Sequence, residues 1–301
     1  MPDLGGARQH QDCEQRLGRG GVPRSSYRRK SQNRTVLVDY HMHLRASDGD
    51  QERIDHTVEA IERYAERAVE LGVDEIALTE HVYYFFETRS VWRLPYQLER
   101  CLHSLDDYCD AVLEAKRRGL PVKLGLEVDW VPEHADELAA VLEQYPWDLL
   151  LGSVHWIEGL AVDQRPGLWE LGVEAVWARY VAELEAAARS GHFDVLAHPD
   201  LVKIFGDRVA WDWQPLIESL DGVALEISTA GLRKPVRELY PEPSLLRAAR
   251  AAGVPVTLAS DAHVPSDVGR DLDEAVALAR DTGYDTVTAF DGRRSRQEPL
   301  G

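Results

Sequence analysis

The feature that constrains this chain most is a repeated device. A short, continuous apolar run ends abruptly in histidine, aspartate or glutamate, and the device recurs along most of the length. Its first instance is Thr35–Leu44, TVLVDYHMHL, where the β-branched run Val36–Val38 leads into His41 and His43. On an extended strand, residues i and i+2 project from the same face. Two imidazoles therefore stand side by side where the strand stops. Alone, such a pair reads either as two solvated histidines or as two metal ligands. Recurrence favours the second reading. Glu75–Thr79 runs into Glu80 and His81, and the segment 122–130, VKLGLEVDW, carries Glu127 among apolar residues. Asp148–Trp156 carries His155 at its end, and Phe193–Ala197 leads into His198, Pro199 and Asp200. Gly222–Ser228 holds Glu226 and opens into the loop TAGLRKP, and Val254–His263 ends with Asp261 and His263.

Helical spacing fills the intervals. It predicts helices over Thr57–Leu71 (stopped by Gly72), Leu102–Arg118 (stopped by Gly119 and Pro121), Glu133–Gln144, Glu174–Ala188, Pro243–Ala252 and Leu272–Thr282. A short strand follows at Thr286–Phe290. Continuous apolar strands alternating with helices predict a parallel sheet covered on both faces. Seven or eight such units suit a closed barrel better than an open sheet. In parallel barrels the chemistry sits at the C-terminal ends of the strands. That is where His41, His43, His81, Glu127, His155, His198, Asp261 and His263 fall.

Any one of these residues could be a satisfied polar side chain. A buried cluster of them without a cation is electrostatically expensive. Nitrogen and oxygen donors without cysteine favour zinc, manganese or iron over calcium or magnesium. Eight donors exceed the needs of one tetrahedral ion and suit two or three divalent ions sharing a bridging carboxylate. Such a cluster generates hydroxide at neutral pH and holds oxyanions such as phosphate. Arg233, in the TAGLRKP loop, reads as a phosphate fork or as a surface arginine. Asp48, in the polar loop RASDGD, reads as a turn residue or as a ligand swinging back toward the His pair. Residues 82–100 are aromatic and charged without a clean period, as expected of a long loop walling a pocket.

Composition excludes several classes. No run of 18 apolar residues exists, so no membrane span is expected. Cys13, Cys101 and Cys109 form no CxxC pair, which suits a reducing cytoplasm, and the last two read as packing residues. The net charge of −18 argues against nucleic acid as a partner. Residues 1–34 depart from this acidity, with eight Arg/Lys against three Asp/Glu and almost no apolar periodicity. They read as a disordered basic extension, either a docking arm or an unselected leader. A single domain is expected over 35–292, followed by a polar tail at 293–301.

In chain order, DYHMH, ALTEH, GLEVDW, GSVHW, AHPDLVK, EISTAGLRKP and ASDAHVPSDVG resemble the PHP (polymerase and histidinol phosphatase) superfamily. Within it they are most similar to the monofunctional histidinol-phosphatase branch, over about residues 35–290. The resemblance implies an α/β fold, a distorted (β/α)7 PHP-type barrel in one domain, with a trinuclear site. It implies one ion on His41, His43, Glu127 and Asp261, and a second on Glu127, His155 and His198. The third would take His81, His263 and a group from the loop after His43; the branch usually has a histidine there, and Asp48 is the substitute in this chain. The implied reaction is hydrolysis of L-histidinol phosphate by attack of metal-bound hydroxide on phosphorus. Glu127 and Asp261 would serve the metals, and Arg233, aided by Lys203, would hold the phosphate. Three other readings compete. The first is a related phosphoesterase acting on another small phosphate or a nucleotide, which the Asp48 loop supports. The second is a non-catalytic metal-binding module. The third is an exonuclease, which would want a basic groove.

Overall fold

Seven short strands run parallel, each hydrogen-bonded to the next in sequence, in a computed structural model that describes residues 35–301. The strands are β1 (Val38–Asp39), β2 (Glu75–Leu78), β3 (Val122–Asp129), β4 (Leu149–Ser153), β5 (Val195–Leu196), β6 (Ala224–Ser228) and β7 (Val256–Ala259). Every residue of β4, β6 and β7 is buried, because helices cover one side and the barrel interior the other. That double burial is why the runs are continuous in sequence rather than alternating. The ring closes between first and last strands: Tyr40 N–H donates to Leu258 O at 3.0 Å and His43 N–H to Ala262 O at 2.7 Å. This is the (β/α)7 barrel expected, with the expected segment 1–34 lying outside the described residues.

Helices α1 (Val58–Glu70) and α2 (Leu105–Arg117) show how the outer layer is fixed. Thr57 and Ser104 cap them, accepting from the N–H groups of Ala60 and Asp107. The helix predicted from Leu102 begins later because Ser104 supplies this cap. α1 buries Ile61, Tyr64, Ala65 and Ala68 on one face. α2 buries Tyr108, whose hydroxyl donates to Leu78 O at 2.7 Å and Gly125 O at 2.9 Å, tying the helix to β2 and β3. A ring buried this way stabilises by about 2–3 kcal/mol from its area alone. The remaining outer helices are α3 (Ala135–Leu142), α4 (Val173–Arg189), α5 (Gln214–Ser219), α6 (Pro243–Ala251) and α7 (Leu272–Asp281). α5 has too few periodic positions to be read from sequence.

Three differences from the sequence reading bear on the site. RASDGD is not a plain loop: Arg45–Ser47 pairs antiparallel with Asp50–Ile54 around a turn at Asp48 and Gly49. Segment 82–100 is a wall built of two 3-10 turns and the one-turn helix Pro95–Leu98, with Tyr83, Tyr84, Phe85, Val91 and Trp92 buried. The expected polar tail is part of the fold. β8 (Thr286–Asp291) pairs antiparallel with β9 (Arg294–Pro299), and Val36 N–H donates to Pro299 O at 2.7 Å. β9 is polar because its side chains are exposed or half-buried, while its backbone pairs in register with β8; Leu300 beyond it is buried.

Candidate metal centre

Glu127 lies at the centre of the strand-end cluster, and five imidazoles surround its carboxylate. His41 Nε2, His43 Nε2 and His81 Nδ1 approach Oε2 at 3.3, 3.5 and 2.6 Å. His155 Nε2 and His198 Nε2 approach Oε1 at 3.4 and 3.1 Å. Each carboxylate oxygen thus serves its own set of nitrogens. Asp261 Oδ1 completes the Oε2 side, 3.8 Å from His41 Nε2 and 3.5 Å from His43 Nε2. Burial alone would raise the Glu127 carboxyl. The imidazoles of His41 and His155 outweigh it and hold the group well below the usual carboxylate range. Asp261 is lowered in the same way, against burial, by His41 and His43.

The donor chemistry fits divalent cations. His41 Nε2, His43 Nε2, His81 Nδ1 and Glu127 Oε2 are buried and close together, yet none has an aligned hydrogen-bond partner. Side chains His41, His43 and Glu127 offer ligand atoms within 4.8 Å of one another, as do Glu127, His155 and His198. A third such group is His43, His81 and His263. Burial and the neighbouring His43 push His81 down to about 3 and His263 down to about 4, so both rings are neutral and their lone pairs available.

A second layer of carboxylates orients these rings. Glu226 Oε2 lies 2.8 Å from His41 Nδ1, and its Oε1 accepts the His198 backbone N–H at 3.0 Å. Asp129 Oδ1 lies 2.8 Å from His155 Nδ1, and Glu80 Oε2 lies 3.5 Å from His43 Nδ1. The two 2.8 Å contacts, on His41 and His155, set the tautomer that leaves the opposite nitrogen facing the cluster, while Glu80 places a carboxylate beside His43 without a hydrogen bond. Asp129 was legible in principle, since it shares a strand face with Glu127 at i+2. Glu226 carried the same signal as Glu127, a carboxylate inside an apolar strand. Glu226→Gln keeps the shape and removes the charge. It should lower metal affinity about 10–100-fold, read by titration against a competing chelator, with the fold intact by circular dichroism.

Two turns that carry candidate ligands adopt left-handed backbone, His198 at φ 28° and Asp261 at φ 54°. Such conformations cost energy in non-glycine residues and persist where surroundings enforce them. Glu226 holds the first turn through its bond to His198 N–H. The second is held from two sides. Asp39 accepts from Ser260 N–H at 2.7 Å, Ser260 Oγ at 2.6 Å and Gly269 N–H at 2.8 Å. Arg233 donates to Ser260 O and, at 3.3 Å, to Thr229 Oγ1.

A cleft of about 210 Å³ opens over the cluster. Its floor is His81, Glu127, His155, His198, Asp261 and His263, and Tyr83, Tyr96 and Trp156 form an aromatic wall. Lys234, Asp163 and Gln164 bring polar groups to its lining. Three expected site residues are placed elsewhere. Arg233 does not line the cleft, since its fork engages main-chain oxygens behind Asp261. Lys203 is fully buried, with Nζ 2.8 Å from Asp200 Oδ2 and donating to Leu239 O at 2.7 Å, because a buried ammonium needs such partners. Asp48 sits on the exposed hairpin turn, where Oδ1 accepts from Ser266 N–H at 2.9 Å. The third group is completed by His43 rather than Asp48.

Comparison with known proteins places this geometry. The PHP domain family matches residues 39–230. A probable histidinol-phosphatase of Deinococcus radiodurans is 35% identical over 267 residues, covering 84% of this chain and 96% of that protein. The histidinol-phosphatase of Bacillus subtilis is 27% identical over 247 residues, covering 70% of this chain and 90% of that protein. Among solved structures, histidinol phosphate phosphatase from Lactococcus lactis, complexed with zinc, L-histidinol and phosphate, superposes with a TM-score of 0.66 at 20% identity. That superposition covers 87% of this chain and all of the other.

Proposed function

The chain belongs to the PHP domain family, and from that membership we propose that it is a metal-dependent phosphomonoesterase hydrolysing L-histidinol phosphate to L-histidinol and phosphate. The observation that carries the chemistry is the two-sided environment of Glu127, one carboxylate oxygen facing His41, His43 and His81, the other facing His155 and His198. What supports the substrate is the near full-length similarity to histidinol-phosphatases.

Two to three divalent ions, of zinc, manganese or iron, are the proposed cofactors. His41, His43, Glu127 and Asp261 would hold one, Glu127, His155 and His198 a second, and His81 and His263 with His43 beside them a third. When bound, such ions supply a nucleophile at neutral pH and neutralise charge on the phosphoryl group. The protein's own residues do the rest. Glu226 and Asp129 fix the tautomers of His41 and His155, and Glu80 sets a carboxylate beside His43. Asp39 and Arg233 hold the Asp261 turn, so Arg233 is proposed to act on the phosphate through that turn. Tyr83, Tyr96 and Trp156 limit water on one side of the cleft. The carboxylate of Asp163 suits a substrate whose non-phosphate end carries an amine and an imidazole. Among the described residues no helix is long and apolar enough to cross a membrane. The thiols of Cys101 and Cys109 are free, which suits the proposed cytoplasmic setting.

The test is phosphate release from L-histidinol phosphate by the purified chain, with metal content measured on the same sample. A panel of sugar phosphates and nucleotides runs beside it. Selective turnover of L-histidinol phosphate is expected. Bound metal with equal or better turnover of another phosphate would keep the reaction class and reject the substrate.

A further inference from the structure

Among the described residues, five tyrosines are wholly buried: Tyr40, Tyr64, Tyr108, Tyr180 and Tyr240. Four of them donate their hydroxyl to a protein acceptor, Tyr40 to Glu75, Tyr64 to His43 O, Tyr108 to Leu78 O and Tyr180 to His198 O. The Tyr240 hydroxyl has no hydrogen-bond partner. Buried hydroxyls are nearly always paired, so an unpaired one at the wall of a cleft leaves a donor without its bond. Tyr240 lines the cleft over the Glu127 cluster. Its ring meets the edge of His198 with centroids 6.4 Å apart.

The ring is held rigidly. The Tyr240 backbone exchanges hydrogen bonds with Ser228 at 2.7 and 3.0 Å, joining it to the end of β6. Gly231 packs so closely beneath it that a Cβ there would lie 2.0 Å from Glu238 O and 3.1 Å from the Tyr240 ring. Lys203 Nζ lies 5.4 Å from the ring centroid. The lysine that sequence pattern associates with the phosphate thus stands behind Tyr240 rather than in the cleft.

A phenol hydroxyl carries one proton to donate; burial first, then the carboxylates of Asp200, Asp261 and Asp163, push its pKa further upward. A fixed donor beside candidate ligands His198 and Asp261 wants an acceptor-rich partner. The amine end of an amino-alcohol substrate offers cationic donors; its phosphoryl end offers oxygens. We propose that Tyr240 Oη donates a hydrogen bond to a phosphoryl oxygen of the bound monoester, making Tyr240 a catalytic residue. The proposal rests on the phosphatase reading for its substrate, and its binding test uses inorganic phosphate alone.

The experiment compares metal-reconstituted full-length wild type with Tyr240→Phe, which keeps the ring and its packing. Phosphate affinity by calorimetry should fall about tenfold, and kcat/KM for L-histidinol phosphate about 10–100-fold. Metal content and Tm should be unchanged. Phosphate affinity within about twofold of wild type overturns the assignment. So does a lower Tm with unchanged affinity, the signature of a hydroxyl bridged by water to Asp200, and so does loss of metal. In a second measurement, 3-fluorotyrosine at position 240 leaves the native fold in place. Its fluorine resonance should move on adding phosphate; a resonance that stays fixed overturns the proposal. Failure of wild type to hydrolyse L-histidinol phosphate rejects the substrate reading separately, because the phosphate titration still decides Tyr240.

Discussion

Glu127→Gln is expected to lower kcat/KM by about a thousandfold or more and to release bound metal. The substitution is nearly isosteric, so packing at the end of β3 is preserved and the effect reports charge. Five imidazole nitrogens within 3.5 Å of this carboxylate are arranged around its negative charge and its two acceptor oxygens. Glutamine offers one oxygen and turns an NH₂ toward the other set. Whichever way the amide faces, one set of rings then meets a donor instead of an acceptor. A thousandfold loss corresponds to about 4 kcal/mol of transition-state stabilisation, within reach of losing one bridged ion. Elemental analysis of the variant should show fewer ions per chain than wild type. A fully metallated, active Glu127→Gln would sink the central assignment.

Chelation should abolish turnover and lower Tm, and the size of the drop should depend on pH. Ions present at about a thousandfold over their dissociation constant stabilise by about 4 kcal/mol, on the order of 10 °C in a domain this large. Protons take the place of metal in the stripped protein. Burial opposes protonation of His155, but Glu127 and Asp129 outweigh it and raise the ring from 6.5 to about 9. The folded state therefore binds an extra proton between those values. That contribution to stability is fully present below about 6.5 and is lost as pH rises through about 9. His41 and His43 are shifted in the same direction, against burial, by their carboxylate neighbours. Metal binding must displace these protons, so its affinity grows as pH rises. The gap in Tm between loaded and stripped protein should be small near pH 6 and wide near pH 9. A gap that stays constant or narrows over that range would show that these imidazoles do not exchange protons for metal.

The barrel was legible because both-sided burial writes itself into sequence as continuous apolar runs, and the strand-end cluster was legible because its residues interrupt those runs at the same end. His41, His43, His81, Glu127, His155, His198, Asp261 and His263 all come to the cluster or its cleft by that logic. What periodicity does not carry is the direction of a long side chain. Lys203 and Arg233 sit in the right loops, yet one turns into the interior toward Asp200 and the other toward main-chain oxygens. Asp48 follows the hairpin that the Asp-Gly turn makes, and pairing with Ser266 draws its carboxylate onto the surface. Tyr240 carries no sequence signal, for a different reason. Its significance is a missing bond, and an absence of that kind exists only once every neighbour has a position.

The closure of the barrel carries a consequence for biosynthesis. Asp39 and Ser260, which join the first and last barrel strands beside the His pair, are 221 residues apart. A ribosome delivers His41 and His43 early and Asp261 only after six further strands have emerged. A partly made chain can offer imidazoles to a passing ion, but it lacks the carboxylate that completes the Oε2 side. Full metal affinity is thus expected only with ring closure, and tight retention of an ion would report that the first and last strands have met. Nascent chains stalled before residue 254 and challenged with a colorimetric zinc competitor should therefore surrender their metal far faster than released protein.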